Sequence, residues 1–188
     1  MRILMLGNSL TTAHGLPDAL ARELGAEVRV HARGGARLAE HLNPKTRNGA
    51  RTLVALERER WDFVVLQEMS HAPATTPAAY LASASRLCAL SHAAGAVPVV
   101  YATWAYRDGC PRLRRLGMTY SQMHAAMHDA FARAARQGDA LLADACDAFW
   151  GVADPAALYA PDGVHPSEAG ALLAVRVLAE TMRSAGSV

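Results

Sequence analysis

A serine follows the first apolar run of the chain directly, within the segment 7–10 (GNSL). The run 2–6 predicts a buried strand, so Ser9 would lie at the carboxyl end of that strand, where open α/β sheets bind ligands. Gly7 permits a tight turn, and backbone amides at the start of a following helix could stabilise an oxyanion. The segment fits a nucleophile about as well as an ordinary turn in which Ser9 or Thr11 caps a helix.

An aspartate and a histidine lie three residues apart in the segment 161–166 (PDGVHP). At this spacing Asp162 can accept a hydrogen bond from the imidazole of His165 and fix its tautomer. Pro166 fits the first position of a following helix. Alone, the pair fits a helix cap beside a surface histidine better than a catalytic pair. Together with Ser9 it predicts a triad in which His165 removes the serine proton and Asp162 orients the imidazole.

Two other predicted strand ends could supply hydrogen-bond donors to an oxyanion, besides the amide of Ser9. The segment 33–36 (RGGA) follows the second predicted strand, and Gly35 could present its backbone amide to a ligand. Gln67 ends the third predicted strand and carries a side-chain NH2 donor. Each has an ordinary alternative, a glycine turn for Gly35 and an amide bonded to neighbouring backbone for Gln67.

The elements that must position these residues follow from the alternation of short apolar runs with longer helical stretches, which is typical of βαβ units. The predicted strands span 2–6, 27–31, 62–67, 97–102 and 140–143. The predicted helices span 16–24, 50–60, 77–94, 119–137 and 166–184. Right-handed crossovers would place helices on both faces. We therefore predict a three-layer α/β/α sandwich with a flavodoxin-like, five-stranded parallel sheet in the order 2-1-3-4-5.

Composition narrows the class of protein further. The chain has 188 residues, of which 52% are hydrophobic, and a formal net charge of +2. These values argue against long disorder and against a nucleic-acid partner. The sequence has no apolar run near the roughly 20 residues that span a bilayer, and the opening run is too short for a signal-peptide core. We expect one domain over residues 1–188, soluble and cytoplasmic, without a membrane partner; the oligomeric state stays open.

Metal and disulfide chemistry have little support. The cysteines Cys88, Cys110 and Cys146 are widely spaced and form no C-x-x-C motif, so we expect reduced thiols. His124 and His128 are four residues apart on a predicted helix, but the glutamate of a His-Glu-x-x-His motif is missing. We expect no metal site.

Four of these segments, in this order, resemble the conserved blocks of the SGNH hydrolases, also called the GDSL esterase/lipase family. The segment 7–10 is similar to the nucleophile block, with Asn8 where many members have Asp. Gly35 corresponds to the second-block glycine, and Asp162 with His165 to the last block. The third block departs, because the segment 67–70 (QEMS) replaces the usual Gly-x-Asn-Asp and leaves Gln67 as the candidate donor. The resemblance implies the same flavodoxin-like sandwich and neither a metal nor an organic cofactor.

The function predicted is that of a serine hydrolase, which cleaves carboxylic esters of acetyl or short acyl groups through an acyl-enzyme intermediate. Some carbohydrate-esterase-like relatives carry Gln and Glu near this strand end, which favours an acetylated sugar as the small-molecule substrate. An acyl-CoA thioesterase or arylesterase would use the same triad. Outside enzymes, the alternative is a flavodoxin-like binding module that has lost catalysis.

The substrate pocket is expected to be open and shallow, because a chain this short leaves little sequence for a lid. Asn8, Trp104 and Tyr106 are candidate substrate-binding residues. The two aromatic rings follow the fourth predicted strand, and packing of that loop onto the core is the alternative. The arginine-rich segment 112–115 (RLRR) fits either an anion-attracting patch or a solvated surface.

Overall fold

Five parallel strands form one sheet, in the order β2-β1-β3-β4-β5, in the computed structural model, which describes residues 1–185. The strands are β1 (Arg2–Gly7), β2 (Glu27–Ala32), β3 (Phe63–Leu66), β4 (Val97–Ala102) and β5 (Leu141–Asp144). The three central strands are apolar and almost completely buried, as expected of a parallel sheet covered on both faces. The predicted fold class and strand order are confirmed.

Helices of two length classes surround the sheet. In chain order they are α1 (Ser9–Thr12), α2 (Leu16–Leu24), α3 (Leu38–His41), α4 (Arg47–Arg58), α5 (Ala72–Thr75), α6 (Pro77–Ala93), α7 (Pro111–Arg115), α8 (Tyr120–Gln137), α9 (Ala145–Trp150) and α10 (Glu168–Ala185). The five long helices lie where the sequence predicts helices. The short helix α7 lies in a segment predicted to be entirely loop. None of the helices within residues 1–185 has the length and apolar character needed to cross a bilayer.

The start of α10 differs from the prediction. Pro166 does not occupy its first position, since this residue forms an isolated antiparallel bridge with Tyr159. Ser167 instead accepts a hydrogen bond from the amide of Gly170 at 3.2 Å, which is the contact of an N-terminal cap. The bridge closes the segment between residues 159 and 166 into a turn beside the sheet.

Successive residues of β1 point into two separate cores. Ile3 and Met5 pack on the side of α2 and α10, whereas Leu4 and Leu6 pack on the side of α4, α6 and α8. This alternation is the period of two that a β-strand imposes on its side chains. Because all strands are parallel, their carboxyl ends lie at one edge of the sheet. Helices pack on both faces of the sheet through their buried sides.

Candidate active site

The turn that carries Ser9 is fixed by Asn8. The side-chain Oδ1 of Asn8 accepts a hydrogen bond from the amide of Leu10 at 3.1 Å, so Asn8 is the N-cap of α1, and neither Ser9 nor Thr11 fills that position. Its Nδ2 donates to the carbonyl oxygens of Ala36 at 3.0 Å and Glu68 at 3.4 Å. One side chain thereby joins the segments that follow β1, β2 and β3. Ser9 is held at the first helical position.

Asp162 and His165 contact each other closely in the turn before α10. The Oδ2 atom of Asp162 lies 2.6 Å from Nδ1 of His165, and its Oδ1 accepts the amides of Val164 and His165, each at 2.9 Å. A carboxylate only accepts hydrogen bonds, so Nδ1 of His165 carries the proton. In the neutral ring Nε2 is then left as the acceptor.

Ser9 lies on the other side of the same imidazole. Its Oγ is 2.9 Å from Nε2 of His165, within the range of a hydrogen bond in which the hydroxyl donates. The structure thus brings together the three residues predicted to form a triad, in the order carboxylate, imidazole, hydroxyl. This arrangement can transfer the serine proton to His165 while Asp162 stabilises the resulting imidazolium.

The charge state of Asp162 follows from its surroundings. Burial raises the pKa of its carboxyl, but the hydrogen bonds from the His165 ring and from the two amides outweigh that effect, and the pKa lies below its usual value. The carboxylate is therefore ionised at neutral pH, as the tautomer assigned to His165 requires.

Trp104 supports this turn from behind. Its Nε1 donates to the carbonyl of Val164 at 3.0 Å, and its ring stacks on Phe149 with centroids 4.0 Å apart. The side chain is only 1% exposed and does not line the pocket beside Ser9. This corrects the prediction that Trp104 binds substrate, because the loop after β4 packs it into the core.

A pocket of about 300 Å³ lies beside the Ser9 hydroxyl. Its lining residues come from the segments that follow β1, β2, β3 and β4 and from the turn before α10. They are Asn8, Ser9, Leu10, Gly35, Met69, Ser70, His71, Tyr106, Arg112, Val164 and His165. Asn8 and Tyr106 are among the residues predicted to bind substrate. The hydroxyl of Tyr106 is 2.7 Å from that of Ser70, which orients both on the pocket wall.

Two backbone amides at the pocket are free to donate. Within residues 1–185, the hydrogen bonds of the structure give neither the Ser9 amide nor the Gly35 amide an acceptor. The first amide of a helix has no partner inside the helix. Gly35 has φ +68°, a left-handed conformation that glycine adopts without strain. These amides are the ones predicted to stabilise an oxyanion.

Gln67 does not reach the pocket. Its side chain is 0% exposed, its Oε1 accepts the amide of Asn8 and the hydroxyl of Thr11, each at 2.9 Å, and its Nε2 donates to the carbonyl of Glu68. The prediction of Gln67 as a direct oxyanion donor is corrected on this geometry. The side chain lies behind the Ser9 turn and fixes that turn to the end of β3.

Several pocket residues were not selected as binding residues from the sequence. Ser70 and His71 follow β3 at the same sheet edge, a position that could have identified them. Arg112 lies in α7, in the arginine-rich segment for which the sequence favours a solvated surface over an anion-attracting patch. Its place on the pocket wall depends on the path of a long loop, which no local pattern reveals.

Comparison with known protein families identifies the family of this chain. The sequence model of the GDSL-like lipase/acylhydrolase family matches residues 5–173, and the chain belongs to this family. It is accordingly an esterase-type hydrolase. A search of curated proteins finds no match.

Solved structures extend the comparison over the whole chain. A protein from Slackia heliotrinireducens that is assigned to the SGNH hydrolases shares 63% identity, with a TM-score of 0.95 and coverage of 97% of this chain and 98% of that one. A DUF4886 family protein from Bacteroides uniformis has 18% identity and a TM-score of 0.78, over 98% and 83% of the two chains. The lipase/acylhydrolase from Enterococcus faecalis has 17% identity and a TM-score of 0.67, over 98% and 97%. The last two similarities are similarities of fold.

Proposed function

We propose that the protein hydrolyses carboxylic esters of short acyl groups through an acyl-enzyme on Ser9. The observation that carries this proposal is the continuous chain of hydrogen bonds from the Ser9 hydroxyl through His165 to the Asp162 carboxylate, at 2.9 Å and 2.6 Å, beside a pocket.

The first half of the reaction acylates the serine. Ser9 Oγ attacks the ester carbonyl while Nε2 of His165 takes its proton, and the imidazolium is stabilised by Asp162. When the tetrahedral intermediate collapses, the ester C–O bond breaks and the leaving alcohol takes that proton from His165. In the second half, water attacks the acyl-enzyme with His165 again as base, which releases the carboxylic acid and restores Ser9.

The amides of Ser9 and Gly35 are the donors we assign to the oxyanion. Neither amide has an acceptor in the part of the chain that the structure describes, and both residues line the pocket. A donor of this kind is typically worth about 2.7 to 4 kcal/mol of barrier. Because the Gln67 side chain donates to Glu68 instead, no third donor is assigned.

The size and polarity of the pocket support a short acyl group on a polar alcohol. A volume of about 300 Å³ is at the lower end of the range for small-molecule sites. Ser70, His71 and Tyr106 supply polar groups on the wall, which suits an alcohol that forms hydrogen bonds, an acetylated sugar among them.

The test is the hydrolysis of 4-nitrophenyl esters from acetate to decanoate by the wild type and by Ser9→Ala. We expect the wild-type rate to be highest for acetate and to fall along the series, because the pocket is small. In Ser9→Ala, kcat should fall by at least about 10⁴-fold, since the nucleophile is lost. Circular dichroism should show that the variant is folded.

A fluorophosphonate probe supplies a second readout, with Ser70→Ala as the matched control. Ser70 also lines the pocket, and among residues 1–185 its hydroxyl forms a hydrogen bond with Tyr106 and with no histidine. The probe should label Ser9 in the wild type and in Ser70→Ala, and should label nothing in Ser9→Ala. Turnover that persists in Ser9→Ala, or labelling at Ser70, would overturn the proposal.

A further inference from the structure

The pocket wall carries an arginine without a counter-ion. Arg112 lines the pocket, and within residues 1–185 it forms no ion pair with a carboxylate. Other arginines of the chain do form such pairs, including Arg29 with Glu59 and Arg33 with Glu40. An arginine at a pocket whose charge no carboxylate of the described residues neutralises is available to an anionic ligand.

The charge of Arg112 affects the pKa of two neighbouring side chains, Tyr106 and His71. Burial raises the pKa of the Tyr106 hydroxyl, and the hydrogen bond with Ser70, followed by the charge and hydrogen bond of the Arg112 guanidinium, opposes that shift. Burial lowers the pKa of His71, and the charges of Arg37 and Arg112 lower it further. Both neighbours line the pocket. The guanidinium of Arg112 therefore lies close to the space in which a substrate would bind.

Arg37 contributes a second positive charge near the pocket, and its charge lowers the pKa of His71 more than the charge of Arg112 does. Its guanidinium is 3.5 Å from the Thr76 hydroxyl and, within the described residues, forms no ion pair. Its charge also acts on the buried carboxyl of Glu68, whose pKa is raised by burial. Glu68 thus offsets Arg37 in part, and the pocket-lining residues themselves include no carboxylate. Of the two arginines, Arg112 is the one that lines the pocket.

We propose that this pocket selects esters that carry a second group, an anionic carboxylate or phosphate, and that Arg112 binds that group. This proposal rests on the proposed function. The planar guanidinium donates two parallel hydrogen bonds to either oxyanion, and such charge-assisted bonds are stronger than neutral ones. The anion would occupy the Tyr106 side of the pocket while Ser9 attacks the ester carbonyl. Arg37 adds long-range attraction.

The anion site is tested with two pairs of esters, and the members of each pair are similar in shape but differ in charge. The 4-nitrophenyl hydrogen glutarate and 4-nitrophenyl hexanoate pair places the charge on the acyl side. The 4-acetoxybenzoate and methyl 4-acetoxybenzoate pair places it on the alcohol side. We expect kcat/KM of the wild type to favour the anionic ester by about tenfold or more in one pair, which identifies the side that Arg112 contacts.

Arg112→Gln should reduce that preference by about tenfold, with Arg115→Gln as the control. Arg115 is an exposed residue of the same helix and does not line the pocket, so both variants lose the same net charge. An equal effect of the two substitutions would show a general electrostatic field and overturn the proposal. Equal wild-type rates on both members of each pair would do the same.

Binding to Ser9→Ala separates this proposal from the proposed function. Calorimetric titration of Ser9→Ala with each ester pair requires no turnover, and the anionic member should bind about tenfold more tightly, an advantage that Arg112→Gln removes in the double variant. Equal affinities would contradict the anion site even if 4-nitrophenyl acetate is hydrolysed. If the wild type hydrolyses no ester but the affinity difference is present, the hydrolase mechanism fails and the anion site stands.

Discussion

The side chain of Gln67 uses its full accepting capacity on the segment that carries Ser9. Its Oε1 has two lone pairs, and these accept the amide of Asn8 and the hydroxyl of Thr11. Its NH2 group donates to the carbonyl of Glu68. A buried side chain with these partners fixes the distance between the end of β3 and the nucleophile turn. Gln67 is therefore a positioning residue.

Gln67→Ala tests this role. Removing the amide leaves the Asn8 amide and the Thr11 hydroxyl without their buried acceptor, which should lower the free energy of unfolding by about 1 to 3 kcal/mol for each unsatisfied group. The Ser9 turn should then shift relative to His165, and kcat should fall by at least about tenfold. Urea unfolding and hydrolysis of 4-nitrophenyl acetate measure the two effects.

The control for Gln67→Ala is Ser91→Ala. Ser91 is another buried polar residue, and its hydroxyl donates to the carbonyl of Leu87 inside α6, away from the pocket. Its kcat should stay within about twofold of the wild type. A loss of kcat in Gln67→Ala at unchanged stability would indicate direct contact with the reacting oxyanion, in contradiction of the geometry.

At the scale of elements, the junction of β1 and α1 is packed too closely for any side chain at position 7. A Cβ atom on Gly7 would lie 2.1 Å from Oγ1 of Thr11 and 2.6 Å from Oε1 of Gln67. Contacts this short force the neighbours apart. Glycine here is required by the close approach of the Thr11 hydroxyl and of the Gln67 side-chain amide to the backbone.

Gly7→Ala should consequently lower the free energy of unfolding by about 1 to 3 kcal/mol and slow fluorophosphonate labelling of Ser9. Gly151→Ala is the matched control, because Gly151 has φ −75° and the nearest atom to an added Cβ is 3.6 Å away. Thermal denaturation and labelling rates would be compared for the two variants. Equal stabilities would show that the junction relaxes freely.

Most elements could be predicted from the sequence, because a strand buried on both faces reads as a continuous apolar run and a long helix has a clear period. The short helices α3, α5, α7 and α9 could not, since four to six residues are too few to display that period. Ser9 could be placed at the carboxyl edge of the sheet because it follows a strand directly. Residues 162 and 165 could be joined to it through the chemistry of a triad and the family resemblance. The orientation of Gln67 and the path of the loop to Arg112 depend on tertiary packing.

At the scale of the whole molecule, a buried histidine pair joins the edge strand β2 to the helices α3 and α4. Nδ1 of His31 and Nδ1 of His41 lie 3.0 Å and 3.1 Å from the same Thr52 hydroxyl. That hydroxyl has one proton, so it donates to one ring and accepts from the other. Burial is the main cause that lowers the pKa of each histidine from 6.5 to about 4.

Stability should decrease as pH falls from 6.5 to about 4. In that range the unfolded chain binds protons that the folded chain excludes, so the free energy of unfolding rises with pH and is lost on acidification. The loss is roughly 3 kcal/mol at most for each histidine. Urea midpoints at pH 7.5 and pH 4.5 measure it.

His31→Gln should make the pH dependence shallower, since one of the two titrating groups is removed. His92→Gln is the control, because His92 is an exposed residue of α6. An equally steep pH dependence in His31→Gln and in the wild type would assign the acid sensitivity to other groups.

The hydrogen bond between Ser9 and His165 joins residues 156 positions apart in the chain. Ser9 is synthesised before β2, whereas Asp162 and His165 follow only after all five strands have been made. On the proposed mechanism, a nascent chain that lacks residues 162–165 would hold a serine without its base. Ester hydrolysis would then first appear, during synthesis or refolding, when the turn before α10 docks beside Ser9.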